Sequence, residues 1–151
     1  MILEYVALPH MQHPPTRANP SDAGLDLCFN PADGSEVVLT PGSSAVLSTG
    51  LRFGIPHGYM MQIMNRSGNA AKRHLFVGAC VVDSGYDGEV FVNLHNMGTE
   101  DQVIRPGDKI AQGVVIPVVP VRFMKTNADS PYWYPITISD RGDGSLGSTG
   151  R

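Results

Sequence analysis

The sequence predicts an all-β domain, a sandwich or jelly-roll-like β-barrel, and three observations carry that expectation. Glycine and proline number 17 and 12 in 151 residues, which interrupts the chain too often for long helices. Short runs rich in β-branched and aromatic residues recur between clusters of turn formers. No heptad pattern and no internal repeat competes with this reading.

In chain order, strands are expected over residues 37–40, 45–55, 59–64, 75–82, 89–94 and 109–123. The turns between them carry Pro41-Gly42, Pro56-His57-Gly58, Asp87-Gly88 and Arg105-Pro106-Gly107-Asp108. Residues 67–73 are the helix candidate, because Ala70, Ala71 and Lys72 are good helix formers, but the run allows only one or two turns. Residues 1–124 are expected to form the barrel domain and residues 125–140, with two prolines, a linker. Residues 141–151 are too rich in glycine and polar groups to bury an apolar face.

Composition limits the function. A net charge of −3 provides no general attraction to nucleic acid, so a polyanionic ligand needs a local basic site. The two cysteines, Cys28 and Cys80, do not make a disulfide framework and suit a reducing compartment. The start of the chain has no basic segment leading an apolar one, and no apolar run approaches membrane length. The expectation is a soluble intracellular protein of the cytoplasm, or of the nucleus if its source is eukaryotic or viral, with neither nucleic acid nor membrane as partner.

Five polar islands interrupt the apolar runs. In Ser21-Asp22-Ala23-Gly24-Leu25-Asp26-Leu27, Asp26 is a carboxylate between apolar neighbours, which a turn residue ending a loop would also explain. Asn65-Arg66-Ser67-Gly68 follows an apolar strand and opens the short helix. That placement combines a guanidinium, a hydroxyl and backbone donors as in an anion site, although an ordinary serine cap beside a surface arginine reads the same way. Val81-Val82-Asp83-Ser84-Gly85-Tyr86-Asp87-Gly88-Glu89-Val90 reads as a β-hairpin with Tyr86 near its tip. Asp83 there is either a general base tuned by partial desolvation or a turn residue capping its own backbone. In Arg105-Pro106-Gly107-Asp108-Lys109-Ile110-Ala111-Gln112, Gln112 sits early in an apolar run, where it needs a partner or a site. The fifth island, Arg141-Gly142-Asp143-Gly144-Ser145-Leu146-Gly147-Ser148-Thr149-Gly150-Arg151, has the chemistry of an anion grip, with a frayed terminus as the plainer alternative.

These islands, in this order, resemble the five motifs of the trimeric deoxyuridine triphosphatase (dUTPase) family. The resemblance rests on Ala23-Gly24-Leu25-Asp26-Leu27, Arg66-Ser67-Gly68, Gly78-Ala79-Cys80-Val81-Val82-Asp83-Ser84-Gly85-Tyr86, Gly107-Asp108-Lys109-Ile110-Ala111-Gln112 and residues 141–150. It implies a jelly-roll subunit in a homotrimer whose sites each draw on all three chains, with a flexible glycine-rich C-terminal arm. It also implies hydrolysis of dUTP to dUMP and pyrophosphate, by in-line attack of water on the α-phosphorus, which limits uracil in DNA and supplies dUMP for dTMP synthesis.

By the same resemblance, Asp83 would orient and deprotonate the water, and Asp26 would hold Mg²⁺ through water. Arg66, Ser67, Gly68 and Gln112 would grip the phosphates. Tyr86 would pack beneath the deoxyribose, and the backbone around Gly78, Cys80 and Val82 would read the uracil edge. Arg141, Ser148 and Thr149 would close over the γ-phosphate, with Gly147 offering its backbone and Leu146 covering the base where the family usually has a stacking Phe. Cys80 stands at a frequent glycine, Gly85 at a frequent acid and Asn65 at a usual proline. Apart from the resemblance, Trp133 and Tyr134 read as anchors of the arm's root on a neighbouring subunit.

Two other classes stand beside this one. A dCTP deaminase of the same superfamily needs a glutamate where this chain has Asn93, and its motif reads Arg-Ser-Ser where this chain has Arg66-Ser67-Gly68. A catalytically quiet nucleotide sensor on the same scaffold would not need Asp26, Asp83, Gln112 and Arg141 together. His74 and His95 lack metal-ligand spacing to the cysteines, so zinc is not expected.

Overall fold

A computed structural model of the chain describes residues 1–132, which hold eleven strands and one short helix. The elements are β1 (Tyr5–Ala7), β2 (Leu25–Cys28), β3 (Val37–Leu39), β4 (Ser44–Ser48), β5 (Leu51–Phe53), β6 (Tyr59–Met64), α1 (Ser67–Arg73), β7 (Leu75–Val77), β8 (Val81–Asp83), β9 (Phe91–Asn96), β10 (Gln102–Ile104) and β11 (Lys109–Pro117). The all-β expectation holds. A four-stranded sheet runs β2-β11-β6-β8 and a three-stranded sheet β4-β9-β7, with two-stranded ribbons β1-β5 and β10-β3. Neighbouring strands in these sheets and ribbons run antiparallel.

Alternation along the strands builds the core. In β9, Val92, Leu94 and Asn96 are buried, while Phe91, Asn93 and His95 lie on the other face. Leu27, Leu47, Leu51, Met61, Leu75 and Ile104 join Val92 and Leu94 in one apolar cluster. The close approach of β11 to β6 depends on Gly113, because a Cβ there would lie 2.7 Å from Met61 Sδ. No helix among the described residues is long and apolar enough to cross a membrane.

Several boundaries differ from the sequence expectations for local reasons. Residues 45–55 form two strands, because Gly50 at φ 67° turns the chain between β4 and β5 with Met11 packed against it. Residues 75–82 likewise divide into β7 and β8, and the last strand ends at Pro117 instead of running to residue 123. The 81–90 segment is not a hairpin. Its first strand, β8, pairs with β6, whereas β9 pairs with β4 and β7, so the chain crosses between sheets there. The helix spans residues 67–73 as expected, with Arg66 rather than Ser67 at its N-cap and no side-chain capping bond. The chain divides into a body, Met1–Pro120, and a second unit that begins at Val121.

One buried polar side chain ties the N-terminal loop to the body. Asn30 is 2% exposed; its carbonyl accepts from the backbone of Gln12 and His13, and its amide donates to the carbonyls of His13 and Thr49 at 3.0 and 2.9 Å. Asn30→Ala would orphan several of these buried groups. The substitution is expected to lower stability by about 2–3 kcal/mol, read as an earlier urea midpoint with an unchanged slope.

Candidate active site

Antiparallel pairing places Gln112 of β11 opposite Asp26 of β2 on one side and Met64 of β6 on the other. Two residues past Met64 the chain reaches Arg66 and then enters α1. The register therefore gathers three distant sequence islands on one surface. There, Asp26, Arg66, Ser67, Gly68 and Gln112 line a cleft of about 410 Å³ with Ala18, Asp22, Ala23 and Gly24. Gln112 donates from Nε2 to the Asn65 carbonyl at 2.9 Å, which fixes its amide at the wall. A side chain at Gly24 would displace the Gln112 amide, because a Cβ there would collide with Gln112 Oε1.

The Asp26 carboxylate, 15% exposed, is shared by two cations. Arg66 Nε donates to Oδ1 at 2.8 Å and Lys109 Nζ to Oδ2 at 2.8 Å. A register shift between Lys109 and Ala111 brings this about: in an unbroken strand, residues 109 and 112 would face opposite ways. Asn69 supports the arrangement by donating to the Lys109 carbonyl at 3.0 Å. Cys28, paired in register with Lys109, is buried, and burial pushes its thiol pKa up, with Lys109 partly offsetting the shift.

A second group surrounds the crossover after β8. Val82, Asp83 and Tyr86 line a separate cavity of about 230 Å³ with Val81, Glu89, Val90 and Phe91. Asp83 and Tyr86 are exposed on this chain, and Val82 is buried. The Asp83–Tyr86 turn closes through Tyr86 N–H on the Asp83 carbonyl, with Gly85 at φ 86°. Tyr86 is held by its hydroxyl, which donates to the Glu89 carbonyl at 2.9 Å, and its ring occupies the space a side chain at Gly88 would need. Glu89 anchors the same turn from within, accepting from Ser48 Oγ and from Gly50 N–H.

Gly78 and Cys80 lie between β7 and β8. The Gly78 N–H donates to the Asn93 carbonyl at 2.8 Å, and the Cys80 carbonyl accepts from Ile63 N–H at 2.7 Å. A side chain at Gly78 would strike Asn93 Oδ1, which pairs with His95 Nε2 at 2.7 Å.

Most of the described residues singled out in the sequence thus form two groups with no lining residue in common, and Gly78 and Cys80 line neither cavity. Asp26, Arg66, Ser67, Gly68 and Gln112 share one cleft, and Val82, Asp83 and Tyr86 share the other. Arg141, Leu146, Gly147, Ser148 and Thr149, and the proposed anchors Trp133 and Tyr134, lie outside the described residues. The structure adds Asp22, Gly24, Asn65, Glu89 and Lys109 to the groups that shape the two sites. Asn65 has a visible signal, as a polar residue directly after an apolar strand; Lys109 lies within the fourth island, but its reach to Asp26 is not legible there because it depends on the bulge. Among the described residues no three His, Cys, Asp or Glu side chains cluster as a metal cage.

The chain matches known proteins over almost all of its length. A family model described as dUTPase matches residues 11–150. The deoxyuridine 5'-triphosphate nucleotidohydrolase of Anaplasma marginale is 42% identical over 142 residues, covering 90% of this chain and 88% of that protein. The protein of the same name from Caulobacter vibrioides is 40% identical over 143 residues, covering 90% and 84%. Among solved structures, a Staphylococcus bacteriophage 80alpha dUTPase variant with dUpNHpp superposes with a TM-score of 0.79 at 25% identity, covering 99% of each chain. A dUTPase variant from phage phi11 of S. aureus, described with a coordinated structural Mg(II) ion, gives 0.76 at 25% identity, covering 85% of this chain and 98% of that one. With the five motifs in order, an all-β body and these matches, the chain belongs to the dUTPase family.

Proposed function

We propose that this protein hydrolyses dUTP to dUMP and pyrophosphate, by in-line attack of water on the α-phosphorus. One observation carries the reading: the register of β2, β11 and β6 assembles Asp26, Arg66, Ser67, Gly68 and Gln112 in one cleft, in a chain of the dUTPase family. A triphosphate needs several donors and positive charge at close range, and this cleft offers a guanidinium, a hydroxyl, an amide and glycine backbone. Arg66, Ser67, Gly68 and Gln112 grip the phosphate chain. Asp83 orients the water and takes its proton. Tyr86 lies under the deoxyribose, where its fixed ring leaves no space for a 2′-hydroxyl. The backbone at Gly78, Cys80 and Val82 reads the uracil edge.

The donor set suits Mg²⁺ carried by the nucleotide. The cleft offers two carboxylates, Asp22 and Asp26, and no dedicated cage among the described residues, and Mg²⁺ is commonly held by one or two carboxylates with phosphate oxygens and waters. Asp26 would hold the ion through water. When bound, Mg²⁺ neutralises phosphate charge that would repel the nucleophile.

The separation of Asp83 from the phosphate cleft on one chain supports sites completed by neighbouring chains of a homotrimer. Arg141, Ser148 and Thr149 of the C-terminal arm then close over the γ-phosphate, with Gly147 at the phosphates and Leu146 over the base. We infer a soluble cytoplasmic enzyme of the nucleotide pool.

Pyrophosphate release with Mg²⁺ from dUTP, dTTP, dCTP and UTP in parallel tests the substrate. Release from dUTP alone is expected, and Asp83→Asn should slow it on the order of 10²–10⁴-fold. Ammonia release from dCTP would instead place the chain with the deaminases, and binding without turnover would make it a sensor. Assembly is tested by mixing an Asp83→Asn chain with a chain truncated before Arg141. Each is expected to be inactive alone and the mixture partly active, and no recovery under subunit exchange would count against shared sites.

A further inference from the structure

We propose that Lys109 is a positioning residue of the phosphate cleft: it holds Asp26 when Arg66 transfers its guanidinium to a polyphosphate. This rests on the nucleotide-hydrolysis reading of the cleft. The geometry behind it is one carboxylate bound by two cations, each to a different oxygen and each at 2.8 Å. Arg66 lines the cleft, whereas Lys109 does not, so Lys109 reaches Asp26 from outside the space a ligand would fill.

Among the described residues, the Arg66 side chain has little to hold it apart from Asp26. Its Nε is engaged there, and Nη1 makes one long contact, 3.5 Å, with the Lys109 carbonyl. A phosphate chain in the cleft offers this planar fork a bidentate partner, for which Asp26 competes. If Arg66 were the only cation on Asp26, its transfer would leave a largely buried carboxylate unpaired, which is costly. Lys109 removes that obstacle, since Asp26 keeps a partner through Oδ2 throughout. The bulge between Lys109 and Ala111 is the backbone feature that lets β11 supply both this ammonium and the Gln112 amide to the neighbourhood of Asp26. Asn69, donating to the Lys109 carbonyl, keeps the bulge in place.

Binding of dUpNHpp by titration calorimetry, in EDTA so that no metal substitutes for the lysine, tests this. Lys109→Met is expected to weaken binding about tenfold and Lys109→Arg to restore it to within about twofold, with thermal unfolding confirming that both fold. In an Asp26→Asn background the loss from Lys109→Met should nearly vanish, because no carboxylate is then left to pair. An undiminished loss in that background would overturn the proposal and make Lys109 a direct phosphate contact. Equal affinity of Lys109→Met and the native protein would overturn it as well. Wild-type protein that binds no dUpNHpp in EDTA is titrated again with Mg²⁺: absence of binding there too would overturn the reading of the cleft itself, whereas binding with Mg²⁺ moves the same cycle to that condition, and normal wild-type binding with no coupling removes only the role of Lys109.

Discussion

Strand β11 is hydrogen-bonded to β2 on one side and to β6 on the other, and this double pairing brings Asp26, Gln112 and the start of α1 to one cleft. Gln112 meets Asp26 and Met64 across the two ladders, and the chain leaving Met64 delivers Arg66, Ser67 and Gly68 to the same surface. A one-residue slip of either ladder would turn the alternate side chains to the opposite face and separate these groups. Burial of Met61, Ile63, Ile110 and Ala111 opposes such a slip, since it would expose them. Core packing and site geometry are therefore two faces of one register.

Much of this was legible locally. Residues 59–64 read as a strand because they are a largely apolar run before a polar island, and 67–73 as a helix because Ala70, Ala71 and Lys72 are good helix formers. Strand β2 was not legible: an aspartate in four residues, LDLC, looks like a turn, and only Lys109 and Arg66 from far along the chain make that carboxylate tolerable in a strand. The three-residue strands β1 and β10 carry too few residues to show a period. Val81 to Val90 reads as a hairpin because its turn chemistry is right; the partners of β8 and of β9 beyond it are chosen by sheets that local residues do not encode. The motif residues were visible as types and order, while their division into two cavities required the fold.

The two cavities are built on different physical principles. The cleft at Asp26 is electrostatic: charged side chains hold one another in position. The cavity at Asp83 and Tyr86 is steric, with Glu89 tying its turn to the β4–β5 junction and Gly88 leaving space for a ring. A charged network can reorganise when a ligand arrives, whereas a glycine-fitted pocket discriminates by shape. That division suits a nucleotide, whose phosphates are common to many molecules and whose sugar and base are not.

The two thiols of the chain are chemically unequal. Cys28 is buried beside Lys109 and holds its proton more tightly than a free thiol, so thiolate-selective electrophiles are disfavoured there. Cys80 is partly exposed between β7 and β8. The chain thus carries a single addressable thiol, and an environment-sensitive fluorophore attached to it would sit between β7 and β8 without any engineered cysteine.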